Sequence, residues 1–561
     1  MKFLLQQIVT DHKHWSDFCF SELDAILTQH NLIPSECYNR HDTLNNHSPY
    51  LSIELPSIEI GCAIVNRAVL IRNIYYCYTH ASTLQQCLDS ITSTCHTILS
   101  TTQTWAIDIV PYGYRMNGME SDSIRRKFSG KLKFNGKVNK TTPELQLSVH
   151  IVCDLTHLTN IKPLLDDRII HIYLCQSIIQ PNDSILINNT PNIKQMIHEM
   201  SLSARPYIGP TSTSTELSML MCNYAGIQSG DHIYDPFVGT GSILLSASSL
   251  GAHVMGTDID WKSLHGQLRG NDHINKNIYK NFEFYNLNKP ELICCDCSHN
   301  NISSKYTDQL FDAIITDPPY GIRAGAKKTG HNSTTHTQLN SIDSQFASVH
   351  IPQLQPYDIE DVMNDLLDTA ARTLKVGGKL VYLLPATCYF NPDTDIPIHS
   401  CMSVLYVAQQ LLRTNFIRYC ITLVKHSKYN GIKMRRRDRI NEPIPAYAAV
   451  KNDLVELNSA YKQQKLQRMR IPDELEQPMS RKKYVQYKKQ IKANKQQQQS
   501  SINAPDSNNH KSQHSNNHTV LSYYYNRLTS HLSTHTVLVS TVAATLTVLS
   551  IALYSMKHRP K

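Results

Sequence analysis

Between residues 204 and 426, short β-rich runs alternate with helical patterns, and this alternation restricts the chain more than any other feature of it. Residues 232–235, 253–258, 292–296 and 311–317 read as strands, and they end in Asp235, Asp258, Asp296 and Asp317. Residues 379–384 and 417–424 add two further strands, while 216–224 and 361–374 have the spacing of helices. Strand–helix alternation predicts an α/β domain built on a doubly wound, mostly parallel sheet. Such sheets bind ligands outside the carboxyl ends of their strands, so four carboxylates are aimed at one crevice.

Two motifs lie at those strand ends. In the first, Asp235-Pro-Phe-Val-Gly239-Thr-Gly241-Ser242, the glycines let the backbone pass close beneath a ligand. The helix that follows offers unpaired N–H groups. The Gly-Lys-Ser/Thr ending of a phosphate-binding loop is missing. Asp258, at the end of the next strand, is suitably placed for two ribose hydroxyls, and Asp296 for an adenine amino group. The second motif is Asp317-Pro318-Pro319-Tyr320-Gly321. The exocyclic amine of a base is a poor nucleophile, because its lone pair is delocalised into the ring. A carboxylate and a rigidly held carbonyl can accept its two hydrogens and direct the lone pair at an electrophile, and consecutive prolines hold the Pro318 carbonyl in place. Tyr320 can stack on the base.

Arg205-x-Tyr207-Ile-Gly-Pro-Thr211-Ser212, Asp235-Pro-Phe-Val-Gly239-Thr-Gly241, Gly256-Thr-Asp258-Ile-Asp260 and Asp317-Pro-Pro-Tyr320-Gly-Ile-Arg323 together resemble the catalytic subunit of eukaryotic tRNA (guanine-10-N2-)-methyltransferase. The resemblance is densest over 203–323, and Phe134-x-Gly136-Lys137-Val138-Asn139 extends it upstream, so that it covers about the first 430 residues. It implies a THUMP-like RNA-binding region ahead of a Rossmann-like methyltransferase domain. The implied reaction is methyl transfer from S-adenosylmethionine to the exocyclic N2 of a tRNA guanosine. Asp317, Pro318 and Tyr320 are then the catalytic set. Thr211, Asp235, Gly239, Gly241, Asp258 and Asp296 are the cofactor set, and Lys137 and Arg323 are RNA contacts. A small zinc-ribbon activator subunit is the implied partner, and no catalytic metal is implied. The hydroxyl-rich segment Thr213-Ser214-Thr215 departs from the family pattern, so entry into the next helix is expected to differ there.

The remaining segments divide by composition. Residues 1–195 read as an α+β region with strands over 51–60 and 145–152, and residues 121–140 are basic. The methyltransferase domain is expected over 196–430. The net charge is +9, and residues 425–495 alone carry 19 Lys+Arg against 7 Asp+Glu. A basic extension over 431–495 therefore suits a polyanionic partner or a solvated tail. Residues 496–535 form a polar linker that reads as disordered. Residues 536–555 carry no charge and are long enough to span a bilayer, but seven of the twenty are Ser or Thr. They are a candidate C-terminal membrane anchor, the alternative being an apolar tail docked on protein.

The chain has fifteen cysteines but no signal-peptide pattern, which suggests free thiols in a reducing cytosol and excludes a secreted disulfide scaffold. The one Cys-x-x-Cys spacing, Cys294 to Cys297, has no companion pair for a zinc ribbon, and these cysteines are expected to be buried around Asp296. A cytoplasmic enzyme, tethered or not by its C-terminus, is the expectation. Two rivals remain at this level: an adenine-N6 methyltransferase acting on DNA or rRNA, and an inactive membrane-tethered RNA-binding protein.

Overall fold

The structure, a computed structural model, describes residues 1–8, 12–40, 48–95, 98, 103–153, 169–178, 192–266, 277–299, 309–320, 326–329, 354–413, 416–436, 442, 444–450 and 452–453. All of these fall within one compact unit, Met1–Arg468. The polar linker, the candidate anchor and most of the basic extension lie outside the described residues, as does Arg323. Among the described residues, no helix is long and apolar enough to cross a membrane.

The N-terminal region is a six-stranded sheet of β1 (Lys2–Gln7), β2 (Tyr50–Glu54), β3 (Ile71–Ala81), β4 (Trp105–Tyr112), β5 (Leu145–Cys153) and β6 (Ile169–Ser177), in the order β2-β1-β3-β6-β5-β4. Only β4 and β5 pair in parallel. Period-two patterning shows in β5, where Leu145, Leu147, Val149 and Ile151 pack with Ile91, Ile124 and Phe128 from helices Leu84–Thr94 and Gly118–Leu132. The run expected as one strand over 51–60 is divided: the strand stops at Glu54 and a helix, Ile58–Arg67, begins. The cause is local. Pro56 cannot donate to a ladder, and the Ser57 hydroxyl accepts the Ile60 N–H as an N-cap. Residues 121–132 of the basic segment belong to helix Gly118–Leu132, which opens with a reciprocal capping box between Asn117 and Glu120.

The second sheet contains β7 (His232–Asp235), β8 (His253–Asp258), β9 (Glu291–Cys294), β10 (Phe311–Thr316), β13 (Leu374–Ala386), β14 (Met402–Arg413) and β15 (Phe416–Lys425). Between β10 and β13 a short ribbon, β11 (Lys327–Thr329) with β12 (Leu354–Pro356), stands apart. The main order is β14-β15-β13-β10-β7-β8-β9, parallel from β13 to β9 with β15 antiparallel to both its neighbours. The chain order reverses between β7 and β10, which is the switch point where doubly wound sheets hold ligands. Helix entry at Thr213-Ser214-Thr215 is conventional, with the Ser214 hydroxyl capping the Leu217 N–H of helix Thr215–Ala225.

One apolar core joins the two sheets, with Phe18, Leu23 and Ile26 of helix His12–Gln29 meeting Leu220, Tyr224 and Ala408. Polar contacts fix its register. The buried Glu22 carboxylate accepts the N–H groups of Val69 (2.7 Å) and Leu70 (2.9 Å) and the amide of Asn223 (2.7 Å). Arg67 donates to Asn223 Oδ1 at 2.6 Å and to the Ile227 carbonyl at 2.9 Å. Burying Glu22 and Arg67 without such partners would cost several kcal/mol, so these contacts admit one arrangement and disfavour others.

The chain stays on the domain beyond residue 430. Tyr429, Met434 and Tyr447 pack into the core on the other face of the sheet, and the Met434 N–H donates to Asp368 at 2.7 Å. Arg436 spans Asp361 and Asp365 on helix Ile359–Thr373, and Thr387 donates to Asp453 at 3.1 Å. Part of the basic run is thus paired with carboxylates of the catalytic domain.

Candidate active site at the carboxyl ends of the parallel strands

The β7 loop is organised by two carboxylates. Asp235 is fully buried, and its Oδ1 accepts the Phe237 N–H at 3.0 Å and the Thr316 hydroxyl at 2.6 Å, tying the end of β7 to the end of β10. Burial pushes its pKa up to about 7, against those two hydrogen bonds and with help from the nearby charges of Asp258 and Asp317. Asp258 accepts the Gly239 N–H on Oδ2 and the Asp260 N–H on Oδ1, both at 2.8 Å. Burial raises its pKa as well, against these backbone donors.

The glycines have distinct reasons to be glycine. Gly241 has φ 77°, and a Cβ there would lie 2.7 Å from Ile278. Gly239, at φ 51°, has nothing within 4 Å of its Cβ position, so the backbone faces open space. Thr211 is exposed, while its neighbour Ser212 hydrogen-bonds Thr240 at 2.7 Å and so braces the glycine loop. Arg205 is buried behind the loop and donates to the Met200 carbonyl (3.0 Å), Ser242 Oγ (2.8 Å) and Thr215 Oγ1 (2.9 Å). It pins the first residues of two helices together. Its place in an Arg-x-Tyr motif was the available signal, although nothing in the sequence names its partners.

Asp317 follows β10 directly. Its Oδ1 accepts the Tyr320 hydroxyl at 2.5 Å, and that hydroxyl also lies 2.5 Å from the Leu383 carbonyl of β13. Burial raises the Asp317 pKa, and the Tyr320 hydrogen bond and the Arg418 charge oppose it. Pro318 is buried, and Tyr320 packs partly buried against the shared core, with its hydroxyl turned inward on Asp317.

Asp296 sits two residues beyond β9 and is turned toward the β11 ribbon. Its Oδ1 accepts the N–H and hydroxyl of Ser298, both at 2.8 Å, and its Oδ2 accepts the Thr329 N–H (2.6 Å) and hydroxyl (2.7 Å). Burial works to raise its pKa, but the Thr329 and Ser298 donors outweigh it and hold the carboxyl below its ordinary value. A polar cavity of about 560 Å³ opens on the outer side of Ser298 and Thr329. Of the cysteines around Asp296 only Cys297 is buried; Cys294 is exposed, because β9 is an edge strand and ends on it. Among the described residues, no His, Cys, Asp and Glu side chains cluster as a metal site, and all fifteen cysteines are free. Lys137 is exposed in the N-terminal region beside β4, where its carbonyl accepts the Trp105 N–H at 3.1 Å; it is not part of the crevice.

Comparison with known proteins agrees with this architecture. A profile described as an RMKL-like methyltransferase domain matches residues 203–351, and one described as the Tmrp11 THUMP N-terminal domain matches residues 4–162. The tRNA (guanine(10)-N(2))-methyltransferase TRMT11 of Dictyostelium discoideum is 31% identical over 440 residues, which are 74% of this chain and 82% of that protein. The human protein of that name is 29% identical over 400 residues, 68% of this chain and 81% of its own. Among solved structures, TrmN from Thermus thermophilus aligns over 76% of this chain and 100% of its own at 14% identity, with a TM-score of 0.35. With the Dictyostelium relative 31% identical and covered over 82% of its length, the chain belongs to the TRMT11 methyltransferase family.

Proposed function

We propose that this protein transfers a methyl group from S-adenosylmethionine to the N2 amine of guanosine 10 in tRNA, with residues 1–195 presenting the RNA and residues 196–430 performing the chemistry. The observation that carries the reading is Asp317 with Pro318 at the end of β10, next to the switch point, in a chain that covers most of a named tRNA guanine-N2 methyltransferase. The cofactor fits the residues present. The bare Gly239 backbone leaves room beneath the loop, Gly241 opens the next helix, and Asp258 retains lone pairs for ribose hydroxyls after accepting its two N–H groups. Asp235 and the Thr211–Ser212 segment complete the cradle, while Asp296, its acceptor positions taken by Ser298 and Thr329, holds those two residues on the adenine side. S-adenosylmethionine supplies a methyl group on a positively charged sulfur.

Asp317 and the Pro318 carbonyl hold the two amine hydrogens and aim the nitrogen lone pair in line with that methyl. As the N–C bond forms and the C–S bond breaks, the nitrogen gains positive charge and sheds a proton, which Asp317 accepts. Burial, which raises the Asp317 pKa, improves it as an acceptor. Tyr320 has one proton for two acceptors, Asp317 and the Leu383 carbonyl. Once protonated, Asp317 donates to the Tyr320 oxygen while Tyr320 donates to Leu383. Tyr320 would then border the flipped base.

A small zinc-ribbon activator is the expected partner. The edge strand β9, paired only with β8 among the described strands and carrying the exposed Ile293, is a suitable surface for one. The protein would work in the cytoplasm, with residues 536–555 as an optional tether. Mass spectrometry of digested tRNA nucleosides tests the activity: incubation of unmodified tRNA with protein, partner and cofactor should yield N2-methylguanosine. Appearance of N6-methyladenosine instead, or of no methylated nucleoside, would reject the proposal.

A further inference from the structure

The ribbon of β11 and β12 has three residues in each strand, pairing Lys327 with Pro356, Lys328 with Gln355 and Thr329 with Leu354. A two-stranded ribbon that short cannot hold itself, so its attachments decide where it sits. Two of them lie on the crevice. Thr329 donates its N–H and hydroxyl to Asp296 beyond β9, and Ala326 and Tyr357, at the two ends of the ribbon, pack with Phe237 of the β7 loop. The third attachment is helix Ile359–Thr373. Lys328 Nζ lies 3.5 Å from Asp361 and 5.2 Å from the centre of the Tyr357 ring, and the Tyr357 hydroxyl donates to Asp365.

Asp361 and Asp365 are four residues apart on that helix, where like charges repel, and both side chains are mostly buried. The cation that joins them comes from the segment after β15. Arg436 Nη1 donates to Asp361 at 2.8 Å, and Nη2 donates to Asp365. The two carboxylates that hold the ribbon are therefore themselves held by Arg436, and Arg436, Lys328 and Thr329 line one cavity.

We propose that Arg436 is a positioning residue for the cofactor, acting through Asp361 and Asp365 to hold the ribbon along the adenine side of the crevice. The inference rests on the function proposed above. A planar guanidinium spans two carboxylates at once, whereas a lysine ammonium is a point charge that serves one of them well. Without Arg436, only Lys328 neutralises the pair, the two carboxylates repel, and the ribbon loses its fixed support on the helix. Thr329 then has to hold Asp296 from a loosened ribbon, and cofactor binding has to order what the protein no longer orders itself.

The test uses the full-length protein with its activator. S-adenosylmethionine is titrated by calorimetry, and steady-state kinetics on unmodified tRNA follow. Arg436→Ala should raise the cofactor Kd and KM ~3- to 10-fold, with kcat and the KM for tRNA nearly unchanged. Arg436→Lys should fall between that variant and wild type, and gives the reading if the alanine variant melts below the assay temperature. Arg435→Ala, which removes the neighbouring exposed charge paired with Glu442, should leave the cofactor Kd at the wild-type value. Combining Arg436→Ala with Thr329→Val should cost less than the product of the two single losses, because both act on one ribbon. Four results would overturn the inference: an unchanged cofactor Kd in Arg436→Ala, an equal loss in Arg435→Ala, losses that multiply in the double variant, or a raised KM for tRNA alone, which would make Arg436 an RNA contact. A wild type that binds no S-adenosylmethionine would instead defeat the proposed function, and the inference with it.

Discussion

Replacing Asp258 by alanine should weaken cofactor binding and leave the sheet standing. The carboxylate accepts the N–H groups of Gly239 and Asp260 at 2.8 Å each, so it fixes the glycine loop and the turn after β8 at once. A hydrogen bond to a charged group is worth ~1.5–3 kcal/mol net. In the mutant, water entering the crevice satisfies part of what the two N–H groups lose, while the ribose hydroxyls lose their acceptor altogether. The expected penalty on S-adenosylmethionine binding is therefore ~1–3 kcal/mol, or about 5- to 150-fold in Kd. Isothermal calorimetry on wild type and variant reads this directly. The pH dependence adds a second handle. Burial raises the Asp258 pKa, and the ionised form is the acceptor, so wild-type affinity should decline on acidification sooner than for an exposed carboxylate. Asp258→Asn should flatten that decline. A Kd within twofold of wild type for the alanine variant, with its melting temperature unchanged, would refute the reasoning and move the ribose contact elsewhere.

Asp317→Ala should lower turnover by ~10²–10³ or more, since it removes both the orienting charge and the proton acceptor, while calorimetry shows near wild-type cofactor affinity. Near wild-type turnover would remove Asp317 from the mechanism. Asp235→Asn should make stability less dependent on pH. The native pKa of Asp235, about 7, lies above its unfolded value, so the native state binds the extra proton between about pH 4 and pH 7 and stability falls as pH rises through that window. Asparagine keeps an acceptor for Thr316 and Phe237 without titrating. Thermal denaturation from pH 5 to pH 8 should then favour the variant progressively over wild type, by ~2–3 kcal/mol across that range, and parallel curves would contradict the assignment.

Strands β7 to β10 were legible in the sequence because each is an apolar run ending in or followed by a carboxylate, and β7 and β8 have the expected bounds, whereas β14 carries no such mark and went unread. Asp235, Asp258 and Asp317 were legible for the same reason. Other residues gave no periodic signal. The link from Asp296 to Thr329 crosses thirty-three residues, so no local pattern announces it. The strand read over 51–60 ran too far because apolar content was weighed ahead of Pro56 and the Ser57 cap. The packing of the segment after β15 was obscured by its charge: Arg436 belongs to a run that reads as a polyanion-binding tail, yet its partners are Asp361 and Asp365.

The central claim, that Asp317 presents the N2 amine of one tRNA guanosine to the cofactor, is tested most directly by locating the transferred methyl group. A single tRNA transcript would be methylated with isotopically labelled cofactor, digested to oligonucleotides and sequenced by mass spectrometry, beside a transcript carrying adenosine at position 10. The account predicts label on N2 of guanosine 10 alone, no label in the adenosine transcript, and none from the Asp317→Ala variant. Label on any other nucleoside, or undiminished label from that variant, would contradict it.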